Sequence, residues 1–203
     1  MTQITNPRRT TLLLVDVQQA FGNVVPVPNA TAAVANARRL ADAWRENGES
    51  PIVTQHVYDS KEEVGRIQDF IPHIHSVLKS DSDHAELYPG FREGTEIVRK
   101  NRFSAVLGTD LISRLRNRET EVVVVAGLTT PICVQATVDS LAMADFRVVV
   151  AEDACAAQAM GDAATAEDSH LAAIRRMGYV FAEVLTTRHV LDRFRAMSVA
   201  AAS

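Results

Sequence analysis

The chain has 203 residues, 47% of them hydrophobic and 23% charged, which is ordinary globular composition and within the size of one α/β domain. A net charge of −4 with a pI near 5.9, and basic clusters (Arg8-Arg9, Arg114 to Arg118, Arg175-Arg176) that are short and interrupted, argue against a nucleic-acid binder built on a basic stripe. No apolar run approaches the roughly 20 residues of a membrane span, the N-terminus lacks an apolar signal core, and two cysteines make no disulfide framework, so a soluble cytoplasmic protein is expected.

In chain order, strand-like runs fall at Thr11–Asp16, Pro51–His56, a shorter Glu96–Lys100, Glu121–Ala126, Arg147–Glu152 and Tyr179–Leu185. Helical patterns lie between and after them at Ala30–Asn47, Asp110–Arg116, Ile132–Ala144, Ala164–Met177 and Thr187–Met197. Val122 to Val125 and Val148 to Val150 are apolar throughout rather than alternating, so they need cover on both faces. That need, with strands alternating with helices, predicts a single-domain three-layer α/β/α sandwich with a mainly parallel, six-stranded, doubly wound sheet over residues 1–203. In such sheets ligands bind beyond the carboxyl ends of the strands. The least regular stretch, 58–91, reads as a helix plus an active-site or subunit-contact excursion.

Three residues with chemical potential stand at strand ends. Asp16 closes the first apolar run, where a carboxylate also suits a turn. Lys100 closes the Glu96 run inside the basic stretch Arg99 to Arg102, which by itself reads as a solvated face. Cys133 lies in Gly127-Leu128-Thr129-Thr130-Pro131-Ile132-Cys133-Val134, where a strand hands over to a helix. Thr130 suits the N-cap and Pro131 the first helical position, while the partial positive charge of the helix N-terminus favours thiolate, the attacking form. A small buried side chain packed beside the sheet is the plainer use of that cysteine, and also the reading preferred for Cys155.

The order of these signals resembles the isochorismatase-like cysteine hydrolases, a family that includes nicotinamidases, N-carbamoylsarcosine amidase, ureidoacrylate and biuret hydrolases and isochorismatase itself. The resemblance covers nearly the whole chain. It rests on Leu14-Val15-Asp16-Val17-Gln18 with Phe21, Lys100 with Arg102-Phe103-Ser104, Gly127 through Val134, and Asp153-Ala154-Cys155-Ala156. It implies that Asp16, Lys100 and Cys133 form a catalytic triad, and that a cis peptide bond joins Leu128 to Thr129. The Thr129 and Cys133 N–H groups would then make an oxyanion hole. Gln18, Phe21, His56, Tyr58 and Thr130 are the substrate-binding candidates, suited to a small polar amide or ureido compound held by hydrogen bonds. Lysine and helix N-terminus together should pull the Cys133 pKa below its free value of about 8.5 while the nearby carboxylate opposes this, so the net shift depends on the cation. A homodimer or homotetramer is expected on the same ground.

Nicotinamidases of that family bind a metal through an Asp-x-His at the end of the second strand, and this chain has Gln55-His56-Val57-Tyr58 there. His73, His75 and His84 supply no set with correct ligand spacing, so no metal and no cofactor is expected. The implied activity is hydrolysis of a C–N bond in a small linear amide, carbamoyl or ureido compound through a thioester. Isochorismatase chemistry is the alternative, in which a vinyl ether is cleaved to pyruvate and a dihydroxydiene acid and the thiol is not required. Outside hydrolysis, a redox pair of Cys133 and Cys155 or a catalytically silent oligomeric scaffold could use the same fold. How Pro131 bears on the loop beside the cysteine is left open by the sequence.

Overall fold

The computed structural model describes residues 6–202. Its strands are β1 (Thr10–Val15), β2 (Ile52–His56), β3 (Glu96–Lys100), β4 (Val122–Leu128), β5 (Arg147–Ala156) and β6 (Glu183–Leu185). They form one sheet in the order β3-β2-β1-β4-β5-β6, and every adjacent pair is parallel. The chain winds outward in one direction from β1 and then in the other from β4, so these two central strands mark the switch point at which such sheets open a crevice.

The main helices are α1 (Ala30–Glu46), α2 (Leu111–Asn117), α3 (Gln135–Met143), α4 (Ala166–Val180) and α5 (Thr187–Ala202). Leu12, Leu14, Val122 and Val124 point to one face, where Leu40 and Trp44 of α1 and Phe194 of α5 cover them. Leu13, Val15, Val123 and Val125 point to the other, under Leu115 of α2, Leu141 of α3 and Met177 of α4. Alternation of side chains along a strand thus serves two cores, which is why both parities are apolar. Among the described residues, no helix is long and apolar enough to cross a membrane.

Two segments differ from the sequence expectation. The run Tyr179 to Leu185 was expected to be one strand, but α4 continues to Val180 and only Glu183–Leu185 pairs with β5. Gly178, a natural stop signal, lies inside the helix instead, and a Cβ there would sit 3.1 Å from Val184, so the glycine serves the close approach of α4 to β6. Strand β5 runs four residues beyond the expected end at Glu152, to Ala156. Its register against β4 shifts between the Val125–Val150 and Gly127–Cys155 pairs. The added residues do structural work: Asp153 Oδ1 accepts the Thr187 backbone N–H (2.5 Å) and hydroxyl (2.7 Å) at the start of α5.

At the crevice the backbone is tightly specified. The chain leaves β1 through Asp16 at φ 48°, a region an aspartate tolerates better than most residues. Gly127, φ 129°, packs against Val15, and a Cβ would meet the Val15 backbone nitrogen at 2.7 Å. Only glycine fits there without displacing a central strand. The Leu128–Thr129 peptide is cis.

Candidate active site

The carboxyl ends of β1 to β4 bring four side chains together. Lys100, at the end of β3, places Nζ 2.6 Å from Asp16 Oδ2, and both side chains are fully excluded from solvent. The ammonium also donates to the carbonyls of Arg102 (2.9 Å) and Phe103 (3.0 Å), so its position is fixed by backbone as well as by charge. Thr54 of β2 donates its hydroxyl to Asp16 Oδ1 (2.6 Å) and accepts the Asp16 backbone N–H (3.0 Å). The carboxylate is thereby held in one orientation, with one oxygen on the threonine and the other toward Lys100 and His56.

Cys133 sits in a π-helical turn, Thr130–Val134, that leads into α3. The N-cap of this turn is Thr129, extended at φ −102° and ψ 149°, rather than Thr130 as expected. Thr130 is the first residue inside the turn, and its hydroxyl pairs with His170 Nδ1 at 2.9 Å. Burial pushes the Cys133 thiol well above its ordinary value; Lys100 opposes this, and the Asp16 carboxylate adds to it. The expectation of a thiol acidified below its free value is thus overturned, because desolvation of a buried thiolate outweighs the pull of the cation. At rest the site holds a neutral thiol near the Asp16 carboxylate, with the sulfur and a carboxylate oxygen within 4.8 Å of each other.

His56, at the end of β2, lies on the other side of the sulfur. Its Nδ1 is 4.0 Å from Cys133 Sγ and 4.0 Å from Asp16 Oδ2, while Nε2 pairs with the Tyr58 hydroxyl at 2.8 Å. Burial, with Lys100 and Arg102 nearby, holds its pKa well below the usual histidine value. The imidazole is therefore neutral, and its approach to Asp16 is a dipolar contact rather than an ion pair. Burial likewise pushes the Tyr58 hydroxyl up to about 12, so it remains protonated.

Asp16, His56 and Cys133 offer ligand atoms within 4.8 Å of one another, the spacing of a metal site. The carboxylate oxygen that would serve already holds the Lys100 ammonium at 2.6 Å. A divalent ion would have to sit against that fixed positive charge, so the donor set does not fit a resident metal. His75 and His84 join no group of three such ligands among the described residues.

A cavity of about 220 Å³ opens onto Cys133. Of the five expected binding residues, Phe21 and His56 line it, and Thr129 and Cys133 reach it as well. Gln18, Tyr58 and Thr130 do not. Gln18 instead clamps the end of β2, accepting the His56 N–H (2.8 Å) and donating to the His56 and Ala85 carbonyls (3.0 and 2.7 Å). Tyr58 braces His56 from behind. The remaining wall is largely apolar, with Ile71, Ile74, Val77 and Leu78 contributed by the irregular stretch 58–91. This corrects the expectation of a polar pocket. The missed signal was the spacing of those four residues, which repeats at helical intervals through the helical turn Ile74–Val77. Thr54 was also overlooked, although a hydroxyl beside the end of β1 is well placed to orient Asp16.

The isochorismatase domain family matches residues 10–189. An uncharacterized isochorismatase family protein of Bacillus subtilis, YrdC, is 29% identical over 191 residues, covering 90% of this chain and 95% of its own. A cysteine hydrolase from Pseudomonas syringae superposes with a TM-score of 0.87 at 25% identity, with 95% of each chain covered. An N-carbamoylsarcosine amidase from Thermoplasma acidophilum does so with a TM-score of 0.72 at 25% identity, covering 88% of this chain and 96% of that one.

Proposed function

Because the chain belongs to the isochorismatase family of hydrolases, we propose that it is a cysteine-dependent amidohydrolase that cleaves the C–N bond of a small linear amide, carbamoyl or ureido compound. The observation that carries this reading is one buried carboxylate, Asp16, that pairs with the Lys100 ammonium at 2.6 Å and has an oxygen within 4.8 Å of the Cys133 sulfur. The amidase among the similar structures supports it.

In this mechanism Asp16 takes the thiol proton as Cys133 Sγ bonds to the substrate carbonyl carbon, so the buried thiolate never exists free. The carbonyl electron pair moves onto oxygen, where the Thr129 and Cys133 N–H groups receive it; loss of one such donor typically costs about 10²–10³-fold in rate. Collapse of the tetrahedral species restores the carbonyl and breaks the C–N bond, with the Asp16 proton passing to the departing nitrogen. Water then gives a proton to Asp16 as its oxygen attacks the thioester. The C–S bond breaks, the acid leaves, and the sulfur recovers the proton. Lys100 remains charged throughout and keeps Asp16 oriented, and His56 closes the far side of the sulfur as a neutral group. The cycle consumes an amide and water and needs no cofactor.

Cys133→Ala and Cys133→Ser should abolish ammonia release from the best amide found in a screen of small amides, carbamoyl amino acids, ureido acids and biuret, while circular dichroism stays unchanged. Retention of more than a few per cent of activity would remove the thioester from the mechanism and favour vinyl ether hydrolysis with Asp16 as the acid.

A further inference from the structure

The cavity in front of Cys133 carries information about the substrate that the reacting groups do not. Eight of its thirteen lining residues are aliphatic or aromatic, Phe21, Phe103 and Ile132 among them, and among the described residues no lysine, arginine, aspartate or glutamate lines it. At about 220 Å³ it has the space of roughly seven water molecules at about 30 Å³ each. Among the polar lining groups, His56 is neutral and engaged with Tyr58. Gln158 differs: its Oε1 is buried without a hydrogen-bond partner. A turn of the Gln158 side chain, which lines the cavity, would present this unpaired acceptor to a ligand that brings an N–H to it.

We propose that the substrate is an uncharged primary carboxamide with a compact apolar acyl group, branched, alicyclic or single-ringed, whose N–H is received by Gln158 Oε1. The proposal rests on the amidohydrolase reading and narrows it. A carboxylate entering this cavity would lose its hydration and meet neither lysine nor arginine among the described residues, with only the exposed His73, besides His56, as an imidazole at the wall, which disfavours carbamoyl amino acids and ureido acids. An apolar acyl group gains instead, by about fourfold in binding for each methylene withdrawn from water. The Gln158 acceptor distinguishes an amide from an ester of the same shape, since only the amide offers N–H.

The test is a comparison of kcat/KM, by ammonia release, for acetamide, isobutyramide, cyclohexanecarboxamide and N-carbamoylglycine with the wild-type protein. The expected order is cyclohexanecarboxamide over isobutyramide over acetamide, with about tenfold or more between successive members, and N-carbamoylglycine below acetamide. Ile74→Ser should raise KM for cyclohexanecarboxamide more than for acetamide. Gln158→Leu should slow isobutyramide, followed by ammonia release, at least fivefold more than it slows methyl isobutyrate, followed by methanol release. Preference for N-carbamoylglycine, with Cys133-dependent turnover, would overturn this proposal and leave the amidohydrolase reading standing. Absence of ammonia from every amide, polar and apolar, would overturn both. Should Ile74→Ser fail to fold, the wild-type substrate order decides the matter by itself.

Discussion

Cys133 separates two unlike regions. Behind it, Asp16, Lys100 and Thr54 form a charged, hydrogen-bonded cluster anchored on the ends of β1, β3 and β2. In front, the cavity wall is apolar and much of it comes from the irregular stretch between β2 and β3. The contrast follows from what each region requires. Proton transfer needs groups held to a fraction of an ångström, which strands of a packed sheet provide; a binding surface needs shape, which a loop can change without disturbing the sheet.

The most damaging way to break this arrangement is to remove the charge that balances Asp16. Lys100→Met should abolish turnover and lower stability by about 3–5 kcal/mol in chemical denaturation, because it leaves a buried carboxylate unpaired. It should also move Cys133 alkylation by iodoacetamide to higher pH, since Lys100 is the cation that lowers the thiol pKa. Asp16→Asn should do the reverse, moving alkylation to lower pH while turnover is lost. If both variants alkylate as wild type does, the three groups do not act on one another.

A smaller effect sharpens the comparison through His56, which stands where the two regions meet. Its pKa is lowered in the folded protein, so below the unfolded value of about 6.5 the unfolded chain binds a proton that the native state refuses. The stability associated with His56 is therefore complete above pH 6.5 and declines as the pH falls toward the folded pKa. Melting temperature should fall across that window, and the slope should be shallower in His56→Gln. An equal slope in the variant would show that other groups set the acid limit.

The same division explains what could be read from the sequence. The β-branched and leucine-rich strands, with helices between them, announced a parallel sheet, and the residues at their ends, Asp16, Lys100 and Cys133, meet in space because parallel strands deliver all their carboxyl ends to one side. The run Tyr179 to Leu185 misled because its apolar content suits either element; the helix continues to Val180, and Gly178 leaves room there for Val184. The thiol's pKa was not legible, since it depends on burial, which spacing does not reveal. The cavity wall was obscured for another reason: Ile71, Ile74, Val77 and Leu78 have no long regular element to advertise them, and Gln18 and Tyr58 read as ligand contacts when they brace the residues that line the cavity.

The most direct test of a cysteine acyl-enzyme is intact-protein mass spectrometry after rapid acid quench during turnover of isobutyramide, with peptide mapping of any adduct. A mass increase equal to the isobutyryl group, with ammonia lost, is expected on Cys133 and is expected to be absent from Cys133→Ser. Steady ammonia release with no adduct at any quench time, together with activity in Cys133→Ala, would contradict it.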